Sequence, residues 1–202
     1  MSEDRYRAQH KKRLSHMPWL YPKLKPHQRE WAQAWQREIQ QELMALETVH
    51  IGEDCFISPD AVLFAEPGRD IVIGDGVHIA AHAFLHGPIQ IGHHVSINAH
   101  CSLDGGSAGI EIGDHSRIAA HTMIYAFNHG TASARLVREQ PVTSRGIIIG
   151  RDVWIGANAG ITDGVTVGDG AIVGMGAVVT GAVPANTVVA GQPARPVKAR
   201  GD

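Results

Sequence analysis

Aromatic residues make up only 5% of the 202-residue sequence. Compact α/β cores lean on Phe, Tyr and Trp for bulk, so this composition argues against one. Cysteine is scarce as well: Cys55 and Cys101 form neither a metal-binding pattern nor a disulfide framework. No apolar run approaches the roughly 18 residues a membrane span requires. The start is charged and lacks the apolar segment of a secretory signal, which leads to the expectation of a cytoplasmic protein. Neither sign of charge dominates, with 18 basic and 20 acidic residues. A nucleic-acid binder would carry a clear basic excess.

What charge there is lies unevenly. Residues 1–47 are net positive and the remainder net negative, with "RYRAQHKKR" near the start. Such a run is either a solvated tail or a dock for an acidic substrate or lipid headgroup.

What is abundant is glycine, 23 residues of it, together with Ile, Val and Ala. These fall into a period of six: "IGDGVH IAAHAF LHGPIQ IGHHVS INAHCS" from Ile73, resuming at Ile112 and again at Ile149. The fifth residue of each six is small or β-branched, as at Val77, Ala83, Val95, Cys101, Ser116, Val153 and Ala159. An amphipathic helix repeats near 3.6 and a single strand at 2; six with a fixed large–small phase fits neither. It fits short strands that turn a corner every six residues and stack their aliphatics inward. Small residues after the aliphatics, such as Gly74, Gly92 and Gly156, suit cramped corners. Three sixes close one triangular coil, and about six coils make a prism. Cys55 and Cys101 occupy the small inward slot and are expected to be buried rather than reactive.

The prism needs capped ends. "KPHQREWAQAWQREIQQELMALETV" is rich in helix formers, with a stripe of Trp31, Trp35, Ile39, Leu43 and Leu46. It serves either as a cover for apolar surface or as part of a substrate site, with Trp19 and Tyr21 available for stacking on a sugar. Pro18, Pro22 and Pro26 are expected to hold the preceding stretch extended. The organisation expected is an N-terminal segment at 1–47, the solenoid at 48–190 and a tail at 191–202. Besides a three-residue insertion before Ile112, the beat fails at length in a loop at about 127–148 that carries His129 and Glu139. A long loop in a compact repeat is usually functional or disordered, and an isolated polar-loop histidine is more often simply solvated.

The aliphatic–glycine–x–x–small–x pattern over roughly residues 49–190 resembles the left-handed parallel β-helix of the hexapeptide-repeat acyltransferases. "SINAHCSLDGG", "IAAHTMIYAFNH" and "VWIGANAGITDGVTVGDGAIVGMGAVVTGAVPANTVVAGQPARPVK" look like the maltose and galactoside O-acetyltransferases. The resemblance implies an all-β core of left-handed coils with one extruded loop, commonly assembled as a homotrimer with sites between prisms. It implies direct acetyl transfer from acetyl-CoA to a hydroxyl of a sugar or glycan precursor, with no metal. His129 would be the general base and the backbone N–H of Ala157 the oxyanion donor. Glu139 is a candidate partner for His129, beside a backbone carbonyl. Asn98 and Asp104 would contact the acceptor. Trp154, Ala157 and Met175 would line the pantetheine arm, with Thr180, Arg195 and Lys198 toward the nucleotide and phosphates. Two departures stand out: Gly181 replaces a usual lysine, leaving Arg200 as a candidate substitute, and Met175 replaces a usual small residue.

Two other readings compete. His82, His100 and His121 share one position of successive coils and are expected to stack about 4.8 Å apart. Imidazole clusters bind zinc, and one branch of carbonic anhydrases is built on such a helix, though with a different histidine spacing. A non-catalytic scaffold is the third reading, but it has no need of a histidine-bearing loop.

Overall fold

The computed structural model describes residues 6–201. Arg5 of the basic run, with the other ends of the expected segments at 1–5 and 202, lies outside the described residues. Six coils of three short strands follow one another. The first is Val49–Ile51, Phe56–Ile57 and Val62–Phe64; the last is Thr166–Val167, Ile172–Val173 and Val178–Val179. Each strand pairs in parallel with the one a full coil away, which produces three sheets, the faces of a prism. The register is strict: Val49, Ile71, Ile89, Ile110 and Ile147 lie one above another on the first face. This is a parallel β-solenoid, consistent with the left-handed β-helix expected from the sequence.

The six-residue phase becomes the core directly. Leading aliphatics such as Ile79, Ile97, Ile118 and Ile155 are fully buried, with Ala83, Val95 and Ala159 between them. Cys55 and Cys101 are buried as expected, and burial pushes both thiols up to about 11. The corners are finer than the sequence suggested. Glycine after an aliphatic is needed for close approach: a Cβ on Gly74 would stand 2.9 Å from the Gly92 carbonyl carbon. The left-handed turn position two residues later is filled largely by other residues. His82, His100, His121 and Asn158 occupy it at one corner, with φ of 62, 60, 60 and 56°. His and Asn enter this region more readily than most side chains.

The N-terminal segment caps the first coil. Helix α1 (Arg7–His16) leads to a 3₁₀ turn at Pro18–Lys23 and then to helix α2 (Pro26–Met44). The expected extended stretch is therefore a turn of helix, because proline's fixed φ suits the first helical position as well as extended chain. The expected stripe is also shifted. Ala32 and Gln36 are the buried residues of α2, while Leu46 lies beyond its end and is exposed. Gln36 acts as a surrogate strand: its amide accepts from Ile57 N–H at 2.8 Å and donates to Ile57 C=O at 3.1 Å. Gln40 donates to Cys55 C=O at 2.8 Å. The open strand edge, otherwise a template for pairing, is thereby closed. Tyr21 packs on Phe56 with centroids 5.3 Å apart and, half-buried, also lines a hollow with Arg29, Asp54 and His78. The basic run, expected as a solvated tail or a dock, is in part held against the cap, while Lys12 and Arg13 are exposed. Lys11 Nζ sits 4.8 Å from the Trp35 ring and Arg7 5.7 Å from Trp31.

The loop leaves the third face after Met123–Tyr125 and returns at Ile147–Ile149. Its base is a hairpin that pairs Asn128–His129 with Val142–Thr143. Gln140 organises the excursion by exchanging hydrogen bonds with Ala132, at 2.8 and 3.0 Å, and by donating to Arg135 C=O. Beyond the sixth coil, Thr187–Ala190 extends the second face and Arg195–Ala199 pairs antiparallel with it.

Candidate active site

The loop base is anchored by one buried carboxylate. Asp163 is 3% exposed; its Oδ1 accepts from the Arg145 and Gly146 N–H groups at 2.7 and 3.0 Å. Its Oδ2 accepts from Asn128 Nδ2 at 3.4 Å and lies 3.5 Å from Arg145 Nε. Both limbs of the hairpin are thus pinned to the fifth coil. His129 follows Asn128, exposed, with its ring edge-on to Phe127 at 6.1 Å. No hydrogen bond joins the ring to another described residue. Glu139 sits in the short 3₁₀ turn Val137–Glu139 with its carboxylate 3.8 Å from Arg138; the chain does not bring it to His129. Beside the histidine, Met123, Tyr125, Phe127, Asn128, Gly160 and Thr162 line a shallow depression of about 170 Å³.

Asp104 ends a strand of the third face, one coil from Tyr125. Its Oδ2 is 3.1 Å from His86 Nδ1 and its Oδ1 accepts from Gly106 N–H at 3.0 Å. The other nitrogen of His86 lies 3.1 Å from Glu66, and the ring stacks on Phe64 at 4.5 Å. His86 thus bridges Asp104 and Glu66 and holds the Asp104 carboxylate in place by a direct contact. Sequence reasoning missed this pair, although its signal was available: 86 and 104 differ by one coil of three sixes. Asp163 was missed because nothing local marks it.

The corner between the second and third faces holds Asn98, half-buried, and two coils further on Ala157. Here the turn Gly156–Ala159 is closed by a 3.3 Å hydrogen bond, with Asn158 left-handed at its third position. The Ala157 carbonyl accepts from Gly176 N–H at 2.8 Å, whereas its N–H donates to no atom of the described chain. The equivalent N–H of the second coil, Ala81, donates outward to Ser15 C=O of α1 at 2.7 Å. That contact gives the direction: the corner presents a column of amide donors at Ala99, Ala120, Ala157 and Met175, facing away from the core.

Trp154 lies on the outer second face of the fifth coil, 55% exposed, and Met175 at the corner below is 77% exposed. Thr180 and Arg195 line one hollow of about 190 Å³ together with Gly181. Lys198 is exposed on the final strand, opposite Val188. A side chain on Gly181 would meet open space. Arg200 does not fill it. Its guanidinium is held at another corner, 2.9 Å from Asp152 Oδ2 and 3.0 Å from Gly170 C=O. Within one chain, His129 and Ala157 belong to different edges of the prism and make no contact.

The histidine ladder forms as expected. His82 and His100 stack at 4.9 Å with planes 28° apart, and His100 and His121 at 4.8 Å within 3° of parallel. Stacked rings do not converge on one point as chelation requires. Among the described residues no group of three or more His, Cys, Asp or Glu is placed to hold a metal. No helix of the described chain is long and apolar enough to cross a membrane.

Comparison with known proteins agrees with this architecture. The family model described as the hexapeptide repeat of succinyl-transferase matches residues 146–181. The chain is 30% identical to a point mutant of AntD, an N-acyltransferase from Bacillus cereus, solved with dTDP and coenzyme A. That match covers 80% of this chain and 89% of the other, with a TM-score of 0.72. A different point mutant of the same enzyme, bound to dTDP-4-amino-4,6-dideoxyglucose and coenzyme A, matches at 31% identity and a TM-score of 0.71, over 81% and 90% of the two chains. The hexapeptide-repeat acetyltransferase VCA0836 of Vibrio cholerae, complexed with acetyl-coenzyme A, is 30% identical over 82% of this chain and 79% of its own, with a TM-score of 0.54. A comparison with curated protein sequences finds no match.

Proposed function

The chain belongs to the hexapeptide-repeat acyltransferases, and from that premise we propose that it moves an acetyl group from acetyl-CoA directly onto a sugar hydroxyl, with His129 as general base. The observation that carries this reading is the one long excursion from the solenoid. The hairpin pinned by Asp163 holds out one imidazole with both nitrogens unengaged by the described chain. An alcohol is a poor nucleophile at neutral pH, and an imidazole titrates where it can take the proton. The acceptor oxygen attacks the thioester carbonyl as its proton passes to His129. The tetrahedral oxyanion is held by the Ala157 N–H. The C–S bond then breaks, and the departing thiolate receives the proton from His129. Nothing in this scheme requires a covalent acyl-enzyme, and both cysteines are buried.

The donor runs along the corner of outward amides. Its pantetheine arm packs on Trp154 and hydrogen-bonds near Ala157 and Met175, with the nucleotide toward Thr180, Arg195 and Lys198. Because His129 and Ala157 stand on different edges of one prism, the reaction centre is assembled between copies of a homotrimer. Asp104, held by His86, and Asn98 contact the acceptor.

A second reading, transfer to a sugar amine, is favoured by the likeness to AntD, an N-acyltransferase. The two differ in product. An O-acetyl ester is cleaved by hydroxylamine and an amide survives it. The test of the base is His129→Ala, which should lower turnover about 10²–10⁴-fold while acetyl-CoA still binds; full activity in that variant would overturn the assignment.

A further inference from the structure

We propose that the histidine ladder is a subsite for a phosphate or diphosphate group, and that the acceptor carries one. The proposal rests on the acyltransferase reading for its location and deepens it by naming the acceptor class: a phosphorylated, nucleotide-linked sugar rather than a free one.

The ladder has three stacked rungs, His82, His100 and His121, and His16 at the end of α1 lies 6.1 Å from His82 with its ring tilted by 55°. All four side chains are exposed. Three imidazoles elsewhere are matched with carboxylates: His50 with Asp70 at 3.2 Å, His93 with Asp75 at 3.3 Å, His86 with Asp104 and Glu66; His94 and His115 form a shorter stack of two at 5.3 Å. Among the described residues no carboxylate is paired with a ladder ring. The groups that act on His100 are the other imidazoles, His121, His82 and His16. After partial loss of solvent, they are what hold its proton affinity below the ordinary value. An anion bound against His100 would favour its protonated form.

The backbone adds donors at the same edge. Ala81 N–H already holds an oxygen, that of Ser15. The equivalent N–H groups of Ala99 and Ala120, one and two coils on, hold none in the described chain. Amide groups in turns that enter the left-handed region form concavities suited to anions. The column also leads to the proposed reaction centre: Asn158, beside Ala157, donates its N–H to Ala120 C=O at 3.1 Å. His100 thus stands two coils, about 10 Å, from Asn158, a separation that a hexose and its attached phosphate bridge.

The test compares the wild type with His100→Asn and with His100→Asn/His121→Asn by calorimetric titration, using inorganic pyrophosphate, dTDP and CoA as probes. Asparagine keeps the left-handed turn, as Asn158 does in the same column. The expected result is proton uptake when pyrophosphate or dTDP binds the wild type. Both affinities should drop about tenfold or more in the double variant, with a smaller drop in the single one and CoA affinity unchanged. Unchanged pyrophosphate and dTDP affinity, or no binding to the wild type, would overturn the proposal. An equal loss of CoA affinity would also overturn it, since the ladder would then serve the donor's phosphates. A wild type that binds pyrophosphate through the ladder but takes no acetyl-CoA would sink the acyltransferase reading instead.

Discussion

Replacing Ala157 by proline removes one atom of interest, the amide hydrogen, from a corner that tolerates the ring. Ala157 is the second residue of a turn closed by Ala159 N–H to Gly156 C=O, with Asn158 left-handed at the third. Proline is favoured at that second position. The chain itself places Pro59 at the corresponding corner of the first coil. The Ala157 N–H supports no hydrogen bond of the described fold, so no internal contact is lost. Stability should stay within about 1 kcal/mol of the wild type. If that N–H holds the oxyanion, its loss should lower kcat about 10²–10³-fold, equivalent to about 2.7–4 kcal/mol of transition-state stabilisation. The assay is thiol release from acetyl-CoA with an acceptor present, alongside a thermal midpoint and an acetyl-CoA titration. A folded variant that binds acetyl-CoA and turns over at the wild-type rate would refute the role of this corner.

Other consequences are separable. Trp154→Ala should weaken CoA binding in a direct titration without altering the thermal midpoint, since the ring is mostly exposed; unchanged affinity would count against packing on the pantetheine arm. Gln36→Ala leaves the buried N–H and C=O of Ile57 unpartnered, at about 1–3 kcal/mol for each. Its urea midpoint should fall accordingly, and an unaltered midpoint would show that α2 does not close the sheet edge. His78 is pushed down to about 4 by burial, then by Arg117 and His94. Its folded-state value lies below the unfolded one, so the unfolded chain binds the proton first. Stability should therefore decline as pH falls from about 6.5 toward 4, and His78→Gln should flatten that part of the profile.

Much of the fold was legible because one rule repeats. A large aliphatic and a small residue in fixed phase along six-residue arms leave a narrow prism as the economical packing, and Ile79, Ile97, Ile118 and Ile155 stack accordingly. The histidine ladder followed from the same count. Less legible was what depends on contacts across the sequence. Gln36 looks like a polar interruption of an apolar stripe until it is seen against the edge at Ile57. Asp163 lies in an ordinary repeat and acquires meaning only from the loop limbs that converge on it. The pairing of His86 with Asp104 stood at the coil period and could have been read, whereas Glu66, which completes it, lies off that period. The corner glycines were read correctly as cramped, but the left-handed positions belong largely to His, Asn and Asp.

If His129 of one copy and Ala157 of another form one reaction centre, subunit exchange between His129→Ala and Ala157→Pro proteins tests it most directly. Each variant alone should be nearly inactive. In a randomly mixed homotrimer roughly one site in four should combine an intact His129 with an intact Ala157, so activity should return to about that fraction of wild type. Mixed trimers no more active than either parent would contradict a centre shared between copies.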